Sequence, residues 1–235
     1  MKVQAIVAAA GLGERLGERL PKPFVKVYGQ PLVVYTLRVL ESCPKINGII
    51  VAVHPQWVKA MQKAAKDAGL KKIVCVVAGG AERSDSVYNA LRVLKKDTDM
   101  VLIHDGARPL ITKTFVQQMI RAAETEDGLI AAVPVKPTIK RVDPDTLFVQ
   151  ETLDRALLWD IQTPQIFQRD VLDRAYAQKD RTATDDAALV ERLGKRVRIF
   201  PGLEQNIKVT TPQDLIVVKK MLKAQTQKAM SKRGA

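Results

Sequence analysis

Short apolar runs alternate along the chain with longer mixed stretches. The runs are rich in Val and Ile, which is typical of strands that are buried in a parallel sheet. Strands that alternate with helices predict an α/β fold, in the form of a Rossmann-like, doubly wound, mostly parallel sheet covered on both faces. The predicted strands are VQAIVAA (3–9), GIIVAVH (48–54), KIVCVV (72–77), MVLIHD (100–105) and LIAAVPV (129–135). The predicted helices between them span 31–42, 56–68, 83–95 and 112–125, with Pro31 at the start of the first and Thr112 as the cap of the last.

Residues 136–163 break this alternation. Two extended pieces flank the turn Asp143-Pro144-Asp145, which predicts a β-hairpin rather than a helix. The hairpin has little apolar content of its own, so we expect a protruding arm at about 136–160 that makes an oligomer contact. The arm is expected to belong to a single domain over 1–225, followed by a basic tail at 226–235.

The last third of the chain returns to helices and one strand. One helix is expected from about Arg169 and a second is expected to be capped near Thr184. A strand follows at RVRIF (196–200), and TPQD (211–214) opens the final helix with Thr211 as its cap.

Composition limits the classes of protein that need to be considered. The chain has 235 residues and 46% hydrophobic content, which is enough for one large buried core. No apolar stretch approaches the roughly 20 residues that span a bilayer. The first strand also begins too early for a leader peptide, so we expect a cytoplasmic protein. Cys43 and Cys75 lack the spacing of a zinc site and are expected to be reduced thiols.

A formal net charge of +13 suggests nucleic acid as a partner. Residues 219–235 nevertheless carry six Lys and Arg and no acid, so almost half of the excess lies on the C-terminal helix and tail. Aromatic residues make up 5% of the chain and do not interleave with the basic ones. We therefore expect a solvated basic face and no nucleic-acid partner.

The loop after the first strand, AAAGLGERL (8–16), lies where doubly wound sheets bind ligands. It does not match the dinucleotide pattern G-x-G-x-x-G, because Leu16 stands at the third glycine position, and it does not match the P-loop spacing. Gly11 and Gly13 allow backbone amides to approach phosphate oxygens, and Arg15 offers a planar fork for phosphate. The alternative is a simple turn with solvated cations.

Lys22 lies between two prolines, Pro21 and Pro23. The first fixes its own φ, and the second disfavours the helical region for Lys22, so this lysine is expected on a stiff, extended segment. A fixed amine suits a group that meets charge developing on phosphorus.

These features resemble the signature of sugar-nucleotide-type nucleotidyltransferases, in AAAGLGERL and PKPF (21–24). Later segments narrow the resemblance to the family of 2-C-methyl-D-erythritol 4-phosphate cytidylyltransferases, whose motifs occur in the same order along nearly the whole chain. These segments are GGAERSDSV (79–87), HDGARP (104–109), PTIKR (137–141), TLDR (152–155), QTPQIF (162–167), ATDDA (183–187) and NIKVT (206–210).

The resemblance implies a reaction in isoprenoid precursor synthesis. The phosphate of methylerythritol phosphate attacks the α-phosphorus of CTP, and pyrophosphate leaves. Arg15 and Lys22 are then expected to stabilise the transition state, whereas Lys208 and Arg155 position the acceptor phosphate. The attacking phosphate oxygen is already ionised, so no base is needed, and we interpret His104 as structural.

Asp105 ends an apolar strand, so its carboxylate should emerge at the ligand-binding edge of the sheet, beside the triphosphate. The resemblance gives Asp105 the role of a Mg²⁺ ligand, and the alternative is that it only caps the turn before Gly106. The resemblance also implies further site residues. The nucleotide-binding set is Ala9, Ala10, Gly11, Gly13, Arg15, Lys22, Gly80, Ser86, Asp105 and Gly106. The substrate-binding set is Asp105, Arg108, Thr138, Arg155, Thr163, Thr184 and Lys208.

In the family that the chain resembles, the arm completes the active site of the partner subunit, which implies a homodimer here. Thr138, Lys140 and Arg141 agree with this as polar groups on the arm, although they could equally only solvate it. Ala81 and Gly106 depart from the residues that many relatives carry.

Two other functions stay open: a cytidylyltransferase for another polyol phosphate such as ribitol 5-phosphate, and a basic RNA-binding or scaffold protein without turnover.

Overall fold

A seven-stranded sheet forms the centre of the protein in a computed structural model that describes residues 1–11 and 20–231. The strand order is β11-β7-β10-β6-β1-β4-β5. All neighbours are parallel except β10, which is antiparallel to both β6 and β7. The sheet strands are β1 (Val3–Ala9), β4 (Ile46–Val53), β5 (Ile73–Ala78), β6 (Met100–Asp105), β7 (Gly128–Pro134), β10 (Trp159–Gln168) and β11 (Val197–Pro201). This arrangement confirms the predicted α/β fold with a mostly parallel sheet.

Helices cover both faces of the sheet. The α-helices are α1 (Leu32–Ser42), α2 (Val58–Asp67), α3 (Arg83–Leu91), α4 (Lys113–Ala122), α5 (Arg169–Tyr176), α6 (Asp186–Glu191) and α7 (Pro212–Ser231). Alternate residues of β1 point to opposite faces. Ala5 and Val7 pack in a core with α1, α2 and α4, whereas Ile6 packs in a second core with α3, α5 and α6. The sheet is therefore doubly wound.

Caps predicted from the sequence are present at two helices. The Thr112 side chain accepts a hydrogen bond from the Phe115 amide at 3.2 Å, which caps α4. Asp214 accepts from the Thr211 amide at 2.8 Å, and the Thr211 hydroxyl accepts in return from the Asp214 amide. At α6 the cap is Asp185 rather than Thr184, one residue later than predicted.

Strand β10 was not predicted. A proline in the middle of a run argues against a central strand because it cannot donate to the ladder. The structure accommodates Pro164 at a register shift between Ile161 and Gln165, where the pairing with β7 is interrupted. The antiparallel pairing of β2 (Lys26–Val27) with β3 (Gln30–Pro31) was also not predicted.

The segment expected to form an arm contains two paired strands, β8 (Lys140–Val142) and β9 (Val149–Thr152), outside the main sheet. Asp143 opens the turn between them and accepts from the Asp145 and Thr146 amides. Contrary to the expectation of little apolar content, large apolar side chains are exposed along this segment: Leu147 is 74% exposed, Phe148 76% and Leu157 79%.

The C-terminal helix α7 packs on a third, smaller core. Val218 and Leu222 contact Val25 and Val27 of the segment after Lys22, as well as Val209. Helix α7 continues to Ser231 and so includes part of the predicted tail; the division at 225 stays a prediction. None of the helices within 1–11 and 20–231 is both long and apolar enough to cross a membrane.

Candidate active site

A cavity opens at the carboxyl ends of β1 and β6, the place that a doubly wound sheet offers to ligands. The two strands run parallel and in register, with Ala8 opposite Asp105, so the loops that follow them meet at this edge. The predicted nucleotide residues that line this first cavity are Ala9, Ala10, Gly11, Lys22, Gly80, Ser86 and Asp105. Lys208 lines it as well.

A second cavity adjoins the first on the side of β10 and α6. Its walls include five predicted acceptor-site residues: Asp105, Arg108, Thr163, Thr184 and Lys208. Lys208, Asp105 and Arg83 line both cavities, and therefore stand at their junction. The structure thus brings together most of the residues predicted for two ligands, with the charged ones between them.

Asp105 is nearly buried, and three cations surround its carboxylate. Lys208 Nζ lies 2.8 Å from Oδ2 and Arg108 Nε 3.6 Å from the same atom, while Arg83 Nε lies 3.4 Å from Oδ1. Burial by itself raises the pKa of Asp105, but the charges of Arg83, Lys208 and Arg108 outweigh it and hold the pKa below its ordinary value. Asp105 is therefore an anion at neutral pH.

A metal ion at this position would rely on Asp105 and the nucleotide. Within the described part of the chain, no group of three or more His, Cys, Asp or Glu side chains could hold a metal alone. Mg²⁺ is commonly bound through one or two carboxylates together with substrate phosphates, so the single carboxylate fits this ion. The Lys208 amine occupies the nearest position on Oδ2 and would have to yield it.

His104 is fully buried and forms two contacts that fix its tautomer. The Arg108 carbonyl beside Nε2 can only accept, which leaves Nδ1 as the acceptor for the Thr163 hydroxyl at 2.9 Å; that hydroxyl in turn accepts from the Asp105 amide at 3.0 Å. Nε2 then carries the ring proton and donates to the Arg108 carbonyl at 3.3 Å. Burial lowers the pKa of His104 to about 4, so the ring is neutral, as expected for a structural residue. Thr163 uses its hydroxyl within the protein.

Lys208 owes its position to a loop that is tied to β6 and β10. Arg108 Nη1 donates to the Asn206 carbonyl at 2.7 Å, and the Asn206 side chain donates to the Thr163 carbonyl at 2.8 Å. The Val209 amide donates to the Ala107 carbonyl at 2.9 Å. Asn206 is fully buried and was not singled out from the sequence, although it lies in the NIKVT segment.

The loop between β5 and α3 is held close to the helix. The Ser86 hydroxyl accepts from the Gly80 amide at 3.1 Å and donates to the Glu82 carbonyl. A Cβ at Gly80 would lie 2.2 Å from Asp85 Cβ, so only glycine allows this approach. The Gly106 amide donates to the Ala8 carbonyl, so it is used within the sheet edge. Gly106 itself lies beside the first cavity without lining it.

Lys22 lines the first cavity but is not extended. It begins a 3-10 turn, Lys22–Phe24, in which the Phe24 amide donates to the Pro21 carbonyl at 2.8 Å. The predicted extended conformation is wrong because the turn carries Phe24 into the core. There its ring centroid lies 4.9 Å from that of Trp57. The flanking prolines and this packing still fix the backbone of Lys22.

Some predicted site residues are not at either cavity. Thr138 and Arg155 belong to the arm segment, and Arg155 Nη1 donates to the Lys136 carbonyl at 2.8 Å. Gly13 and Arg15 lie outside the described residues. Arg83 shows the opposite case: it lines both cavities, yet the sequence marked it only as part of GGAERSDSV.

The doubly wound sheet, the glycine-containing loop and the cations at one edge define a nucleotidyltransferase. Comparison with known proteins gives the family: residues 3–224 match the model of IspD, 2-C-methyl-D-erythritol 4-phosphate cytidylyltransferase. The chain belongs to this family.

Curated relatives and solved structures agree with this assignment. The chain is 44% identical over 230 residues to the 2-C-methyl-D-erythritol 4-phosphate cytidylyltransferase of Alkaliphilus oremlandii, covering 96% of this chain and 97% of the relative. It is 46% identical over 220 residues to that of Alkaliphilus metalliredigens, covering 92% and 91%. The structure of the 4-diphosphocytidyl-2C-methyl-D-erythritol synthase of Anaerococcus prevotii superposes with a TM-score of 0.81 at 28% identity, covering 94% of this chain and 96% of that one.

Proposed function

We propose that the protein transfers a cytidylyl group from CTP to 2-C-methyl-D-erythritol 4-phosphate, in isoprenoid precursor biosynthesis. An oxygen of the acceptor phosphate forms a bond to the α-phosphorus of CTP, and the bond from that phosphorus to the departing pyrophosphate breaks. The products are 4-diphosphocytidyl-2-C-methyl-D-erythritol and pyrophosphate. The single observation that carries the proposal is the junction of two cavities at Asp105 and Lys208 in a chain of this family.

The two cavities divide the substrates between them. We assign CTP to the first cavity, beside Lys22 and the backbone of residues 9–11, and the acceptor to the second, beside Arg108 and Thr184. Both substrates are multiply anionic, and a pair of unit charges about 4 Å apart interacts by roughly 4 kcal/mol near a protein surface. Fixed cations at the junction offset this repulsion and favour the still more concentrated charge of the transition state.

Individual cations have separate tasks in this proposal. Lys22, with Arg15 from the opening loop, stabilises charge on the triphosphate, while Lys208 and the arm's Arg155 orient the acceptor phosphate. Asp105 holds Mg²⁺ together with the phosphates. When bound, Mg²⁺ would supply charge neutralisation between the two substrates.

We also propose a homodimer in which each arm completes the site of the partner subunit. Arg155 and Thr138 do not line either cavity of their own chain, although the proposed chemistry needs them at the acceptor. The exposed Leu147, Phe148 and Leu157 give the arm an apolar surface that a second subunit would cover.

Pyrophosphate release tests the proposed reaction. The enzyme is supplied with CTP, Mg²⁺ and either methylerythritol phosphate or ribitol 5-phosphate, and with EDTA in place of Mg²⁺ as a control. We expect turnover only with methylerythritol phosphate and the metal ion. Equal turnover with ribitol 5-phosphate would overturn the assignment of methylerythritol phosphate as the acceptor. No turnover with either polyol phosphate would favour a non-catalytic role.

A further inference from the structure

Arg83 connects the carboxylate at the cavity junction to a buried anchor. At the first position of α3, its guanidinium reaches Asp105 Oδ1 with Nε at 3.4 Å and Asp186 Oδ2 with Nη1 at 2.8 Å. Asp186 is fully buried, and its Oδ1 accepts a 2.5 Å hydrogen bond from the Tyr176 hydroxyl. Arg83 is thus held at one end by the α5–α6 side of the core and at the other by β6.

The two oxygens of Asp105 have different neighbours. Among the ion pairs of the described residues, the one that involves Oδ1 is with Arg83, whose guanidinium is anchored in the interior. Oδ2 faces Lys208 Nζ at 2.8 Å and Arg108 Nε at 3.6 Å; the Lys208 side chain is 42% exposed and lies at the cavity junction. Oδ1 is therefore tied to an arginine that is anchored in the core, while Oδ2 carries, besides the longer Arg108 contact, the Lys208 contact that a ligand can exchange.

Two of the three guanidinium nitrogens of Arg83 face carboxylates: Nε faces Asp105 and Nη1 faces Asp186. Its Nη2 atom is buried, so a ligand in either cavity cannot reach it without rearrangement. Burial by itself lowers the pKa of Arg83, but the charges of Asp186 and Asp105 outweigh it and raise the pKa. The fork geometry of arginine spans two carboxylates at once, which a lysine amine does not.

We propose that Arg83 is a positioning residue for the transfer reaction. It fixes the rotation of the Asp105 carboxylate by holding Oδ1, so that Oδ2 points to the cavity junction, where it contacts Lys208 in the metal-free protein and would be available to Mg²⁺. Asp186 sets the position of Arg83 from behind. This inference rests on the proposed function, because it assigns to Arg83 a task in the same site.

A double-mutant cycle of Arg83→Gln with Asp105→Asn tests the inference. In the native background we expect Arg83→Gln to lower kcat by about 10-fold or more, with the KM for CTP nearly unchanged, as is usual for residues that orient a functional group. In the Asp105→Asn background, Arg83→Gln should have almost no further effect because Arg83 acts through Asp105. If the losses of kcat in the two single variants multiply in the double variant, the inference is overturned. Absence of turnover in the unsubstituted enzyme would instead overturn the proposed function.

Tyr176→Phe is the matched control. It removes the hydroxyl that contacts Asp186 but leaves both contacts of Arg83 in place. We expect it to lower the unfolding temperature, because a lost buried hydrogen bond reduces stability. The kcat should stay within about 2-fold of the native value. A loss of kcat equal to that of Arg83→Gln would indicate a general structural role and overturn the inference.

A crystal structure of the Arg83→Gln variant provides a readout that does not depend on activity. The Asp105 carboxylate should be rotated, and the 2.8 Å contact of Oδ2 with Lys208 should be lost. Retention of that contact would overturn the inference. If Arg83→Gln does not fold, Asp186→Asn replaces it in the cycle and in the crystal, with the same expected outcomes, because it removes the anchor of Arg83.

Discussion

The backbone of Lys22 is held by the two prolines that flank it and by the neighbouring core residue Phe24. Lys22 lines the cavity assigned to CTP, on a 3-10 turn that Phe24 anchors beside Trp57. A cation held in this way needs little reorganisation when charge develops in the transition state.

We expect Lys22→Ala to lower kcat by about 100-fold or more, on the scale of one preorganised donor. The unfolding temperature should change little, because the lysine amine is not part of the core. Lys26→Ala is the matched control: this exposed lysine lies on the same segment and should keep nearly full turnover. Steady-state kinetics and thermal unfolding of both variants provide the measurement, and a loss of tenfold or less at Lys22 would remove it from the catalytic set.

His104 gives the protein a predictable sensitivity to acid. Its pKa is about 4 in the folded chain against an ordinary value of 6.5, chiefly because it is buried. Protons then bind His104 more readily in the unfolded chain than in the folded one. The contribution of neutral His104 to the free energy of unfolding should therefore be fully present above pH 6.5 and be lost as the pH drops towards 4. The loss from this group should approach about 3 kcal/mol.

Urea unfolding of the metal-free protein between these pH values measures the effect. His104→Gln serves as the comparison, since an amide can keep one donor and one acceptor but does not titrate. The variant should show a shallower pH dependence in this window. An identical dependence would assign the acid sensitivity to carboxylates instead.

At the scale of elements, the arm segment lies outside the main sheet and forms a two-stranded sheet of its own. Strands β8 and β9 pair only with each other, and the apolar side chains around their turn are exposed. A two-stranded hairpin is marginal in water unless something packs on it. The proposed dimer gives the arm that support.

We expect Phe148→Ser together with Leu157→Ser to shift the protein from dimer to monomer, because both side chains would lose an apolar partner surface. Light scattering coupled to size-exclusion chromatography, over a range of protein concentrations, measures the shift. Ile216→Ser is the control, as it replaces a side chain that is 55% exposed and belongs to α7 rather than to the arm. A monomeric native protein would contradict the dimer itself.

At the scale of the whole molecule, the proposed active site combines residues of two chains. In mixed dimers of Arg155→Ala and Lys22→Ala chains, one site would contain both substitutions and the other neither. Random mixing makes about half of the dimers mixed, so we expect roughly one quarter of native turnover from two chains that are each nearly inactive alone. Recovery is measured after co-refolding or co-expression. No recovery would mean that Arg155 acts in its own subunit.

The sequence was sufficient to predict the alternation of strands and helices, because buried parallel strands are short apolar runs whatever their neighbours. The strand that ends in Asp105 and the glycine loop after β1 could be assigned to the carboxyl edge of the sheet from their positions alone. Most other residues of the two cavities, among them Gly80, Arg108 and Thr184, were indicated by the family resemblance. The caps at Thr112 and Thr211 follow from local chemistry in the same way.

Only the tertiary structure decided the place of β10 and the task of Arg83. β10 lies between β6 and β7 through antiparallel pairing, and its proline is accommodated by a register shift that depends on β7 rather than on local propensity. Arg83 is one of many arginines in the sequence, and its significance comes from Asp105 and Asp186, which are 22 and 103 positions away along the chain. Contacts between residues so distant in sequence are set by the packing of whole elements, which no local pattern of residues encodes.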